Sequence, residues 1–162
     1  MIKVLFVCHG NICRSPMAEF IFRDMAEAAG VSDQISVASA ATSSEEIWGG
    51  VGNTVYPPAE AELNRHGLSG KGKRAVQLKK KDYDEYDFLI GMDENNIRNM
   101  ERMTGHKKGE KISKLLSYAG SSRDVSDPWY SRRFDVAYQD IEEGCRAFLD
   151  FLFQEGYLKG KR

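Results

Sequence analysis

The sequence predicts a three-layer α/β fold, with a central parallel four-stranded sheet and helices on both faces. Two observations carry this. The runs at residues 2–7 and 86–92 are short, mostly apolar and partly β-branched, as strands buried on both faces are. Between such runs lie segments with apolar residues at helical spacing, and alternating strands and helices imply βαβ units around a parallel sheet.

The elements follow in order. Residues 2–7 form the first strand. Ser15 can cap and Pro16 fits the first turn of a helix reaching about residue 29. Met17, Phe20, Ile21, Met25 and Ala28 fall on one face of it, and Gly30 suits its stop. Residues 35–41 read as the second strand and 43–53, rich in Ser, Glu and Gly, as a surface loop. A helix runs from Pro57 or Pro58 to His66, closed by Gly67; residues 69–73 are a Gly/Lys loop, and 74–78 a weak strand. Residues 86–92 are a strong buried strand, after which Asp93 caps a helix to about Met103. Residues 111–116 supply a last strand. Residues 134–156 form a long amphipathic helix through Ile141, Cys145, Phe148, Leu149, Leu152 and Phe153.

The 162 residues suit one domain with a core that needs no metal or disulfide. A formal charge of −1 gives no global drive toward nucleic acid or an anionic membrane, and the run Lys79-Lys80-Lys81 reads as a solvated face. The apolar start is too short to span a membrane and lacks the features of a signal peptide, so a cytoplasmic protein is expected. Three cysteines are an odd number, which argues against a disulfide framework. His9, His66 and His106 are scattered and only Cys8 and Cys13 lie close together, so no zinc spacing is present.

In parallel sheets ligands bind beyond the carboxyl ends of the strands, which points to the segment after Val7. Cys8-His9-Gly10-Asn11-Ile12-Cys13-Arg14-Ser15 joins the first strand to the first helix. A short loop before a helix N-terminus can turn successive N–H groups toward one anion, and the helix dipole adds positive potential. Gly10 permits backbone geometry that a side chain would block, and Arg14 offers a planar fork for two phosphate oxygens. A cysteine at such a mouth is expected as a thiolate near neutral pH, a nucleophile aimed at bound phosphate. The bare spacing of Cys, five residues, Arg is weak; the strand before it and the helix after it strengthen it.

The segment Val7-Cys8-His9-Gly10-Asn11-Ile12-Cys13-Arg14-Ser15-Pro16-Met17-Ala18-Glu19 closely resembles the signature of the low-molecular-weight protein tyrosine phosphatases. Asp127-Pro128-Trp129-Tyr130 resembles the second half of that signature. The resemblance runs nearly end to end, through Leu63…His66-Gly67, Asp87…Met92-Asp93 and the final helix from Phe134. It implies Cys8 as nucleophile, Arg14 as phosphate clamp and Asp127 as general acid and then base. The backbone from His9 through Gly10, Asn11, Ile12 and Cys13 to Arg14 would complete the phosphate cradle. Ser15 would bond the thiolate, and Asn11 and His66 would brace the loop from behind. Cys13 matches a second cysteine able to trap an oxidised nucleophile as a disulfide, and Trp48, Trp129 and Tyr130 would wall the cleft. Cys145 sits at core spacing.

The implied partners are phosphotyrosine-containing proteins and inorganic phosphate or other oxyanions. No cofactor or metal is implied, because the thiolate, Arg14 and Asp127 cover attack, charge stabilisation and proton transfer. The chain departs from the family where Asp-x-Arg-Ala is usual and Tyr56-Pro57-Pro58-Ala59 stands, and where Ser39-Ala40-Ala41-Thr42 replaces Ser-Ala-Gly-Thr. A protein arginine phosphatase on the same scaffold is one alternative, against which the apolar Ile12 speaks. Arsenate reductase chemistry needs further cysteines, and residues 75–100 hold none. A non-catalytic binder of phosphotyrosine or oxyanions would lack the nucleophile or the acid.

Overall fold

The computed structural model describes residues 1–160. Along the chain these form β1 (Ile2–Cys8), α1 (Arg14–Ala28), β2 (Ile35–Ala41), β3 (Ile47–Trp48), β4 (Val51–Gly52), α2 (Pro57–Arg65) and α3 (Asp82–Glu85). They continue with β5 (Phe88–Gly91), α4 (Glu94–Thr104), β6 (Ile112–Lys114), a 3-10 helix (Leu115–Ala119), α5 (Pro128–Ser131) and α6 (Phe134–Gln154).

The four-stranded sheet is parallel throughout, in the order β2-β1-β5-β6. In β1, Val4 and Phe6 join a core with α1 and α6, while Leu5 and Val7 join a second core with Ile97, Met100 and Ile112. A strand alternates its side chains between faces, so two cores on alternate residues mean helices cover both sides. Phe6, Phe22, Phe148, Leu89 and Met100 are among the fully buried side chains. Each such side chain contributes about 1.5–3 kcal/mol relative to exposure.

The chain leaves β1 toward β2 on one side and later returns to β5 on the other. The carboxyl end of β1 is therefore the point at which strand order reverses, where this architecture opens a crevice. Asp93 caps α4 with a reciprocal box: Asn96 N donates to Asp93 Oδ1 at 2.7 Å, and Asp93 N donates to Asn96 Oδ1 at 3.2 Å.

Three expectations change. Residues 74–78 make isolated bridges (Ala41 with Gln77, Thr54 with Arg74) rather than a strand. Residues 47–52 of the expected surface loop form the antiparallel hairpin of β3 and β4. Ser15 does not cap α1: the helix starts at Arg14, Cys13 holds the cap position, and no side chain caps it.

Candidate active site

The loop between β1 and α1 sits in that crevice, and four carbonyls along it accept from backbone N–H groups. Cys8 O accepts from Thr42 N at 2.9 Å and His9 O from Ser43 N at 3.0 Å. Ile12 O accepts from Tyr56 N at 2.8 Å, and Cys13 O from Met17 N at 3.1 Å. A trans peptide points its N–H opposite its C=O, so each tether turns the next N–H the other way.

Asn11 makes the turn possible. Its φ is +58°, a left-handed conformation that Asn tolerates better than most side chains. Asn11 Nδ2 donates to Ser15 Oγ at 2.8 Å and Ser39 Oγ at 2.9 Å, while Asn11 Oδ1 accepts from Val76 N at 3.1 Å. The bracing continues outward: Ser39 Oγ donates to Glu19 Oε1 at 2.6 Å, and buried Glu19 holds Arg23 at 2.7 Å. Lys73 Nζ donates to Ser39 O at 3.0 Å. Burial lowers the Lys73 pKa, and the Glu19 charge works against that shift.

Three donors converge on the Cys8 sulfur. Asn11 N lies 3.3 Å and Ser15 N 3.4 Å from Sγ, and Ser15 Oγ lies 3.0 Å from it. Because Asn11 Nδ2 already donates to Ser15 Oγ, the hydroxyl proton is free to point at sulfur. Ser15 thus serves the thiol rather than the helix end.

Arg14 is 4% exposed and fixed on three sides. Its guanidinium donates to Val125 O at 3.1 Å and to Asp93 Oδ2 at 2.9 Å, and lies 3.6 Å from Asp127 Oδ2. Burial opposes its charge, but Cys8, Asp93 and Asp127 outweigh it and raise its pKa above the ordinary value. Asp127 caps the short helix α5, with Oδ1 accepting from Trp129 N at 3.0 Å. Cys13 differs from its neighbour. Burial first, then the negative charges of Cys8 and Asp127, push its thiol up to about 12, so it is protonated at neutral pH.

A cavity of about 580 Å³ opens over this arrangement. Cys8, Arg14 and Asp127 line it with His9, Gly10, Ile12 and Cys13, and Trp129 and Tyr130 stand at its rim. Asn11 lies behind the loop, 1% exposed.

Two expected positions differ. Trp48 is 73% exposed on the β3–β4 hairpin and outside the cavity lining, where Glu45 and Glu46 stand instead. His66 does not brace the loop: its Nε2 pairs with Glu62 at 3.0 Å and its ring stacks on Tyr138 at 3.7 Å. The brace comes from Ser39, Glu19 and Lys73 instead. The sequence signal for Glu19 was a carboxylate on the first helix near the loop; Ser39 and Lys73 carried none by themselves. Asp93 was legible as a cap, but its second oxygen holds Arg14.

The family model described as low molecular weight phosphotyrosine protein phosphatase matches residues 3–158. The low molecular weight protein-tyrosine-phosphatase YfkJ of Bacillus subtilis (strain 168) is 41% identical over 160 residues, covering 98% of this chain and 100% of that one. The crystal structure of YfkJ aligns with a TM-score of 0.88 at 40% identity, covering 96% of each chain. The crystal structure of DARP, a Drosophila arginine phosphatase, aligns with a TM-score of 0.82 at 31% identity, covering 93% of this chain and 97% of that one.

Proposed function

Since the chain belongs to the low molecular weight phosphotyrosine protein phosphatase family, we propose that it is a protein-tyrosine phosphatase working through a cysteinyl-phosphate intermediate. The observation that carries this reading is the convergence of Cys8, Arg14 and Asp127 on one cavity, with three donors on the Cys8 sulfur.

The Cys8 thiolate attacks phosphorus. An S–P bond forms, the P–O bond to the phenol breaks, and Asp127 gives its proton to the departing oxygen. Arg14 and the loop N–H groups hold the equatorial oxygens through this step. Water then attacks the phosphocysteine, Asp127 takes its proton, the S–P bond breaks, and inorganic phosphate leaves. The apolar Ile12 and the aromatic Trp129 and Tyr130 favour a phenyl ring between them. A reducing, cytoplasmic setting belongs to the same reading, because a thiolate nucleophile is lost to oxidation.

Phosphate release from phosphotyrosine, phosphoserine and phosphoarginine peptides tests it, without metal, with reductant, and with Cys8→Ser as control. Release that needs Cys8 and favours phosphotyrosine supports the proposal. Preference for phosphoarginine overturns the substrate assignment, and no release from any peptide leaves an oxyanion binder.

A further inference from the structure

We infer that Tyr56 is a positioning residue that fastens the segment bearing Asp127 to the phosphate loop. The inference rests on the functional reading above and extends it to a residue at which this chain departs from the family pattern.

Tyr56 touches both halves of the site. Its backbone N donates to Ile12 O at 2.8 Å, which orients the Ile12–Cys13 peptide of the cradle. Its ring packs on Trp129, with centroids 5.0 Å apart and planes at 50°, and on Phe134 at 6.0 Å. Its hydroxyl accepts from Arg132 at 3.0 Å, and the Arg132 guanidinium lies over the Tyr56 and Phe134 rings at 5.6 and 5.8 Å.

These contacts grip α5 at both ends. Trp129 shares the first turn of α5 with Asp127, whose carboxylate it engages through its backbone N. Arg132 is the closing residue of α5, with φ +60°, and its N donates to Pro128 O at 2.9 Å. A helix of four residues has almost no stability of its own, so its place is set by what it packs against. Ser126 N, bonded to Asp140 at 3.0 Å, and Arg14 on Val125 O anchor the entrance to the segment. Tyr56 adds a second tie: it holds α5 through Trp129 and Arg132 and reaches the phosphate loop at Ile12 O, beside the tie that Arg14 makes to Val125 and Asp127. A proton donor is effective only within hydrogen-bond reach of the leaving oxygen, so loosening this grip weakens proton transfer and leaves phosphate binding intact.

The test compares kcat/KM for phenyl phosphate, whose leaving group needs a proton, with that for 2,4-dinitrophenyl phosphate, whose leaving group does not. Tyr56→Ala is expected to lower the first roughly tenfold and the second less than about twofold, with vanadate affinity unchanged. Tyr56→Phe keeps the ring and the guanidinium stacked on it but loses the Arg132 hydrogen bond, so it should fall between, as should Arg132→Ala. Equal losses on both substrates, or no loss on either, overturn the inference. A second readout stands apart from activity. In a Trp48→Phe background Trp129 is the only tryptophan, and Tyr56→Ala should increase its quenching by acrylamide. Unchanged quenching overturns the clamp whatever the activity does. A wild-type protein that hydrolyses neither ester overturns the phosphatase reading, and the quenching still decides the clamp.

Discussion

Cys8 and Cys13 share one loop, yet their sulfurs meet different surroundings. Cys8 receives two N–H groups and the Ser15 hydroxyl, whereas Cys13 is raised to about 12 by burial and by the negative charges beside it. Cys145 is fully buried on α6, and burial pushes its thiol up further. Iodoacetamide at pH 7 should therefore alkylate Cys8 alone in the folded protein, and phosphate or vanadate should slow it. Peptide mapping by mass spectrometry checks this, and labelling of Cys13 at a comparable rate in Cys8→Ser would sink it. Motif spacing singled out Cys8, Arg14 and Asp127, and the fold brings the three together at one cavity. Residue type says nothing about direction, and the structure turns Trp48 and His66 away from the site. One lies out on a hairpin and the other stacks against α6.

Elements were most legible where burial on both faces leaves little choice, as in β1 and β5. Residues 74–78 were not, because their backbone bonds scatter. Val76 N goes to the Asn11 side chain, Ala75 N to Asn53 O, and Val76 O to Ala41 N. Such a segment has apolar residues but meets β2 only at that strand's last residue, Ala41. The hairpin's signal is Gly49-Gly50: both have positive φ and form the two-residue turn that matches strand twist. Packing between elements sets a sharper limit. Gly144 lets α6 approach the 3-10 helix so closely that a Cβ there would sit 2.5 Å from Leu115 Cγ. Gly144→Ala should then destabilise by about 1–3 kcal/mol despite the better helix propensity of Ala. Its denaturant midpoint should recover partly when Leu115→Ala is added, and additive losses would show that the contact is not the cause.

At the scale of the whole molecule, a core that hides thiols makes stability depend on alkaline pH. Cys145 keeps its proton in the folded chain well above the ordinary thiol value, and Cys13 does so up to about 12. A group whose pKa is raised by folding gives stability that is whole below the unfolded value, near 8.5, and is lost as pH climbs toward the folded one. Each such thiol removes about 1.4 kcal/mol per pH unit across that window. Tyr138, raised by burial to about 12, adds to the decline above the ordinary tyrosine value of about 10. Lysines titrate in the same range, so the difference between two proteins is the useful measure. Cys145→Ala should be the less stable protein at pH 7, because it leaves a small void beneath Ala18. Above about pH 9 the wild type loses stability through a thiol that the variant lacks, so the variant's deficit should shrink by about 1.4 kcal/mol per pH unit and then reverse. Denaturant titrations of both proteins from pH 7 to 11 decide this. A constant gap would mean that Cys145 ionises without unfolding, and that the packing of α6 on α1 admits water at the sulfur.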